Sequence, residues 1–330
     1  MNHGTVNELA VDAVDVTKRY GQLVAVDDLS LQVAPGEVYG ILGPNGAGKT
    51  TFLRMLFGLI RPDAGTIRVF GKTWAEAGVS LLDGVAGFVE SPRFYPYLTG
   101  RQNLQGLMLL DGSHSTSKVA EVLDVVDLTG RENDKVGGYS YGMRQRLGVA
   151  ASLLRNPRLL VLDEPANGLD PGGIRDMRAL VKRLADSGLT VLLSSHHMEE
   201  VEEICDNVTI MRRGSVAFHG TISDLRSMAP DPGHLLSTTD DGRALLIAHD
   251  QHPSVTVEPD SDGGLVATGP PDRLSAFVAD LVRADVDLLA FTPTQTPLEA
   301  LFFMLTDTHP EAASPRRDSA VRRAEAGASR

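Results

Sequence analysis

Val38-Tyr39-Gly40-Ile41-Leu42-Gly43-Pro44-Asn45-Gly46-Ala47-Gly48-Lys49-Thr50-Thr51 passes from an apolar strand through a glycine loop into a helix start. A Gly-x4-Gly-Lys-Ser/Thr phosphate loop requires that layout. Gly43, Gly46 and Gly48 let the backbone close around phosphates, so that successive N–H groups and the helix N-terminus face the negative charge. Lys49 is placed to reach the β- and γ-phosphates, with Pro44, Asn45, Ala47 and Thr51 completing the cradle. Thr50 offers a hydroxyl oxygen to Mg2+, a hard cation that shares phosphate oxygens and keeps several waters.

Many phosphate-loop proteins turn over nucleotide for unrelated ends, so the loop alone does not define a role. Three downstream stretches narrow it. Gly138-Tyr139-Ser140-Tyr141-Gly142-Met143-Arg144-Gln145-Arg146 opens an apolar-periodic helix and is followed by a second apolar strand, Leu159 to Leu162. That strand ends in Asp163-Glu164-Pro165. Asp163 suits a second Mg2+ anchor at a strand's carboxyl end, and Glu164 is placed to orient or deprotonate an attacking water. A third strand, Thr190 to Leu193, runs into Ser194-Ser195-His196.

With these residues in order, the chain resembles the ATP-binding subunit of an ABC transporter over roughly Val11 to Thr221. The resemblance implies an adenine-stacking aromatic at Tyr20, a γ-phosphate sensor loop around Glu90 and a signature at Tyr139 to Met143. It also implies the Asp163–Glu164 pair, a subunit-bridging loop at Gly168-Leu169-Asp170 and a switch histidine at His196. Two copies of such a subunit sandwich two ATP molecules head to tail, so that Ser140 and Gly142 touch the nucleotide held by the partner's Lys49. Ser140 at a helix start, with free N–H groups and the positive dipole end, suits a γ-phosphate physically. Two positions depart from the family pattern. Glu90 stands where Gln is usual, bringing negative charge toward metal and phosphates. The signature reads Tyr-Ser-Tyr-Gly-Met in place of Leu-Ser-Gly-Gly-Gln; Ser140 and Gly142 remain, and Tyr139, Tyr141 and Met143 read as packing residues.

Other features read as ordinary. His197 is one residue past the switch position, and its side chain points elsewhere. Met198, Val201 and Ile204 recur at helical spacing, with Glu199, Glu200, Glu202 and Glu203 as a solvated acidic face. Cys205 is the only cysteine, which excludes an intramolecular disulfide and leaves it as buried filler.

The 330 residues are 42% hydrophobic with a formal net charge of −12, a composition expected of a cytoplasmic enzyme of more than one domain. No window approaches the roughly 20 apolar residues of a membrane helix, and Met1 to Asp12 lacks the regions of a secretory signal. Any membrane task therefore falls to a separate subunit. The acidic total, with no basic stripe or aromatic platform, argues against nucleic acid as a partner.

The expected fold class is α/β: a P-loop NTPase core with a parallel sheet, an antiparallel β subdomain and a helical signature subdomain, plus a small C-terminal α+β domain. The cassette is expected over 1–227, with its helical subdomain at about 92–150, the accessory domain over 228–309 and a disordered tail over 310–330. Within the accessory part, Arg243 to Ala248, Ser254 to Val257, Leu265 to Thr268 and Val286 to Phe291 read as strands. Pro271 to Arg283 and Leu298 to Leu305 read as helices. Its order resembles, more weakly, the tail of bacterial drug and antibiotic exporter ATPases. The chain is therefore expected to energise transport, as export, through a membrane subunit of about six helices, seated against the inner face of the membrane. A non-transport ABC ATPase acting in translation, repair or regulation is the alternative. The interval from Lys49 to Ser140 carries no heptads and there is one cassette, features that favour transport. The transported molecule is not written in this chain, because it contacts the membrane subunit.

Overall fold

The computed structural model describes residues 8–306 apart from 111, 113–114, 231–232, 261–262 and 295. The chain opens with an antiparallel hairpin of β1 (Val11–Tyr20) and β2 (Leu23–Val33), turned at Gly21-Gln22. β3 (Val38–Leu42) feeds the glycine loop into α1 (Lys49–Leu56). β4 (Ala64–Val69) and β5 (Lys72–Thr73) return to the hairpin, giving an antiparallel sheet in the order β2-β1-β4-β5. A short α2 (Trp74–Ala77) leads to β6 (Val85–Phe88), and α3 (Gly100–Leu110), α4 (Thr116–Val125) and α5 (Tyr141–Leu153) intervene before β7 (Leu159–Asp163). Then come α6 (Pro171–Asp186), β8 (Thr190–Ser195), α7 (Met198–Ile204), β9 (Asn207–Arg212), β10 (Ser215–Thr221) and α8 (Ile222–Ser227).

The second sheet has the order β10-β9-β3-β8-β7-β6, parallel except for β10, which pairs antiparallel with β9. Its central strands β3, β7 and β8 are buried at every position, because both faces are covered and no polar alternation is tolerated. Leu42, Leu160, Leu162 and Leu193 pack toward Leu147 of α5 and Leu180 of α6. Tyr39, Ile41, Val161 and Leu192 pack on the other side with Phe52 and Leu53 of α1 and with the antiparallel sheet. Register then decides where chemistry collects. Leu42 is opposite Ser195, and Asp163 is opposite Ser194, so three strand ends open at one edge of the sheet. That carboxyl edge is where open parallel sheets bind ligands.

A third sheet comprises β11 (His234–Thr238), β12 (Thr256–Pro259), β13 (Leu265–Thr268) and β14 (Leu288–Pro293), in the order β12-β13-β11-β14 and antiparallel throughout. With α9 (Asp241–Gln251) and α10 (Pro271–Arg283) it makes a split β-α-β-β-α-β unit. Its own core gathers Leu236, Ile247, Leu265, Phe277 and Leu281. Phe277 is fully buried there, so Phe277→Ala is expected to cost this unit about 3–5 kcal/mol. Calorimetry should show a lowered melting transition while ATP binding by the rest of the chain persists; an unmoved profile would contradict the packing.

Here the structure differs from the sequence-based expectation. Arg243 to Ala248 lies within a helix, α9, because the Asp240 side chain caps it by accepting from the Arg243 N–H at 2.9 Å. Ala244, Ile247 and Ala248 then share its buried face. The strand at His234–Thr238 was not anticipated, and those expected at Ser254 and Val286 begin two residues later, at Thr256 and Leu288. The closing helix α11 (Pro297–Thr306), expected as part of the 228–309 accessory domain, packs instead on the larger part. Leu298, Leu301 and Phe302 join Met198, Val201 and Leu225 in one core. The tail expected at 310–330 lies outside the described residues.

Candidate functional site

The glycine loop is shaped by what surrounds it. A Cβ at Gly43 would stand 2.5 Å from the Met211 carbonyl oxygen, and one at Gly48, where φ is +107°, would stand 2.3 Å from that of Ala25. Neither position admits a side chain, and Gly48 also holds a left-handed backbone that only glycine adopts freely. The Gly43 N–H donates to the Ser195 carbonyl at 3.2 Å, which ties the loop to the end of β8.

Lys49 is 4% exposed, yet its ammonium is fully engaged. It donates to the Gly43 carbonyl at 2.7 Å and to the Pro44 carbonyl at 3.3 Å, and stands 3.1 Å from Glu164 Oε1. An ammonium has three donors, so a phosphate oxygen arriving at Lys49 competes directly with Glu164. The other carboxylate oxygen of Glu164 lies 2.9 Å from His196 Nδ1 and accepts from Asn167 Nδ2 at 3.1 Å. The His196 hydrogen bond, aided by the Lys49 charge, outweighs burial and holds the Glu164 carboxyl down to about 2. An ionised carboxylate only accepts, so Nδ1 of His196 carries the hydrogen in this pair. Glu164 also sits at φ +48°, a left-handed conformation that costs a non-glycine residue about 1–3 kcal/mol.

Thr50 Oγ1 donates to Asp163 Oδ2 at 2.9 Å, which places a hydroxyl and a carboxylate side by side at the strand edge. This pair of hard oxygens fits Mg2+. Among the described residues no group of three or more His, Cys, Asp or Glu side chains could hold a metal by itself, so phosphate and water would complete the coordination. Ser194, which sequence reading passed over, organises both carboxylate residues. Its hydroxyl donates to Asp163 Oδ1 at 2.5 Å and accepts from the Glu164 N–H at 3.0 Å. The signal was available only through the β7–β8 register.

A cavity of about 530 Å³ opens over this loop, lined by Tyr20, Asn45 to Thr51, Glu164 and also Arg213, for which the sequence carried no expectation. That volume suits a nucleotide-sized ligand. Tyr20 is 46% exposed at its rim. Ser140, Gly142 and Asp170 line a different cavity, of about 400 Å³. Ser140 and Asp170 cap α5 and α6 there, accepting from the Met143 and Gly173 N–H groups at 3.2 and 3.1 Å. Two helix N-termini thus meet at one opening. Glu90 joins neither lining. Its side chain is 62% exposed and paired with Arg54 of α1, so the expected approach to metal is met instead by a guanidinium one turn past Thr50.

The acidic face expected on α7 is not simply solvated. Glu200 is buried and accepts from Ser195 Oγ at 2.7 Å, while Glu202 and Glu203 pair with Arg226 and Arg178. Cys205 is buried, and burial pushes its thiol up.

Parallel sheet, glycine loop, the carboxylates at the strand edge and the histidine bonded to one of them together define a phosphate-loop nucleoside triphosphatase. The profile of the ABC transporter family matches residues 26–167. A bacitracin transport ATP-binding protein of Bacillus licheniformis is 44% identical over 62% of this chain and 68% of its own length. A daunorubicin/doxorubicin resistance ATP-binding protein of Streptomyces peucetius is 34% identical over 91% of this chain and 93% of its own. A solved ATP-binding subunit of an ABC transporter, 28% identical, superposes with a TM-score of 0.59 over 66% of this chain and 92% of that one. The chain belongs to the ABC transporter family, as an ATP-binding and ATP-hydrolysing subunit. These relatives give no support to a non-transport role.

Proposed function

We propose that the chain powers an exporter of antibiotic-like small molecules, working as a head-to-tail pair of copies on a separate membrane permease of about six helices. The observation that carries this reading is the separation of Ser140 and Gly142 from Lys49 into two cavities of one protomer. Neither cavity offers a complete set of phosphate contacts, whereas two copies facing each other would join one of each. Export follows from the kinship with bacitracin and daunorubicin proteins.

In this reading Tyr20 stacks on adenine and the loop from Gly43 to Thr51 cradles the phosphates. Lys49 exchanges Glu164 for the β- and γ-phosphates. Thr50 and Asp163 would hold Mg2+, which when bound neutralises developing charge on the transferring phosphoryl group. Glu164, released from Lys49 and still oriented by His196, takes the proton of the attacking water. Ser140, Gly142 and Asp170 close on the partner copy's nucleotide. Glu90 reports the position of its loop through Arg54 instead of ligating metal directly.

Tyr95 and Tyr97, 62% and 65% exposed with ring centres 5.7 Å apart, give the stretch before α3 an exposed aromatic pair that supports docking on a membrane subunit. No described helix is long and apolar enough to cross a membrane, so the seat at the cytoplasmic face of the membrane comes through that permease. The test is reconstitution with the permease in vesicles. The expected result is Mg2+- and ATP-dependent movement of daunorubicin or bacitracin; ATP turnover with neither molecule moved would reject the exporter reading.

A further inference from the structure

The signature's third residue, read from the sequence as a packing residue, makes polar contacts outside its own helix that the proposed function does not use. Tyr141 stands where the family pattern has glycine, and it shares a cavity lining with Ser140 and Gly142. Its hydroxyl lies 2.8 Å from Ser91 Oγ, in the loop that begins with Glu90, and accepts from Gln145 Nε2 at 3.0 Å. Having accepted from the amide, the phenol has its own hydrogen free for Ser91. On its other side the ring lies beside Gly168, where an added Cβ would stand 3.6 Å from Cε1 of Tyr141. One side chain therefore bonds to the sensor loop and the signature helix and borders the cavity that the subunit-bridging loop also lines.

Two costs sit at this same seam. Glu90 holds φ +70°, and Gln145, 2% exposed, leaves Oε1 without a partner. A left-handed non-glycine residue and an unsatisfied buried acceptor persist only where surrounding contacts impose them. The neighbouring pair of Glu90 with Arg54 fixes the loop to α1, and Ser91 with Tyr141 fixes it to α5.

We propose that Tyr141 is a positioning residue that tethers the Glu90–Ser91 loop to the signature helix, so that movement of this loop sets how Ser140 and Gly142 are presented to the partner copy's nucleotide. The inference rests on the reading of the signature given above. It predicts a change in turnover without a change in the capture of ATP at Lys49, because Tyr141 lines the Ser140–Gly142 cavity and not the Lys49 cavity.

The test uses the complete transporter with its permease and measures kcat and KM for ATP. Tyr141→Phe, which keeps the ring, and Ser91→Ala should each lower kcat about fivefold, the scale of one net hydrogen bond, with KM and melting temperature unchanged. The double variant should be no worse than either single one, and Ser91→Thr, which keeps the hydroxyl, should restore turnover. Wild-type kcat in both single variants, or losses that multiply in the double, would overturn the tether. Should Tyr141→Phe fail to fold, the exposed Ser91 pair of variants still decides the matter. Ser140→Ala run alongside separates the two ideas. Its loss of turnover together with additive singles rejects the tether alone, whereas wild-type turnover in Ser140→Ala rejects the signature reading and the tether with it.

Discussion

Glu164→Gln is expected to slow ATP hydrolysis by about 10²–10⁴-fold, the range for removal of a positioned general base, while ATP binding persists. The amide is nearly the same shape and can still accept from His196, but it cannot take a proton from water. It also withdraws the anion that competes with phosphate for Lys49, 3.1 Å away. Binding should therefore be retained or tightened, and the protein should accumulate as an ATP-loaded pair of copies. Turnover assays with Mg2+ and ATP, and size-exclusion chromatography with light scattering, read the two effects. A variant that stays monomeric with ATP would count against the paired arrangement; one that turns over at the wild-type rate would remove Glu164 from the chemistry.

Lys49→Ala acts on the other side of the same contact and should have the opposite signature. Truncating one partner of a buried, hydrogen-bonded charge pair costs about 2–5 kcal/mol, so ATP affinity should fall by about 30-fold or more, measured by equilibrium titration. Hydrolysis is lost as a consequence, and no ATP-loaded pair should form. The variant also changes the acid behaviour of the fold. With its carboxyl depressed from 4.5 to about 2, Glu164 contributes stability that is fully present above pH 4.5 and is lost as pH falls toward 2. Lys49→Ala removes one of the causes of that depression, so its stability should fall less over this window than the wild type's. Normal ATP affinity in Lys49→Ala would place the phosphates somewhere other than the glycine loop.

Much of this site was legible in the chain because it is built from consecutive residues. Gly43 to Thr51 forms a glycine loop of the phosphate-binding pattern between a buried strand and a helix start, and Asp163-Glu164-Pro165 follows the apolar run Leu159 to Leu162. α9 was misread because Ala244-Leu245-Leu246-Ile247 is a continuous apolar run, in which periodicity alone does not separate strand from helix. The Asp240 cap decides for helix.

By itself, then, the order of residues determined the glycine loop between strand and helix, the adjacent Asp163 and Glu164, and the short apolar runs of the core strands, since each depends on neighbouring residues. Only the tertiary structure decided that Ser194 binds Asp163 across a strand pair, that Arg54 holds Glu90, and that Tyr141 meets Ser91. It likewise decided that α11 turns back onto α7 and α8. Those contacts join residues far apart in the chain, and strand order, register and competition for buried apolar surface select them, none of which a local stretch of sequence contains.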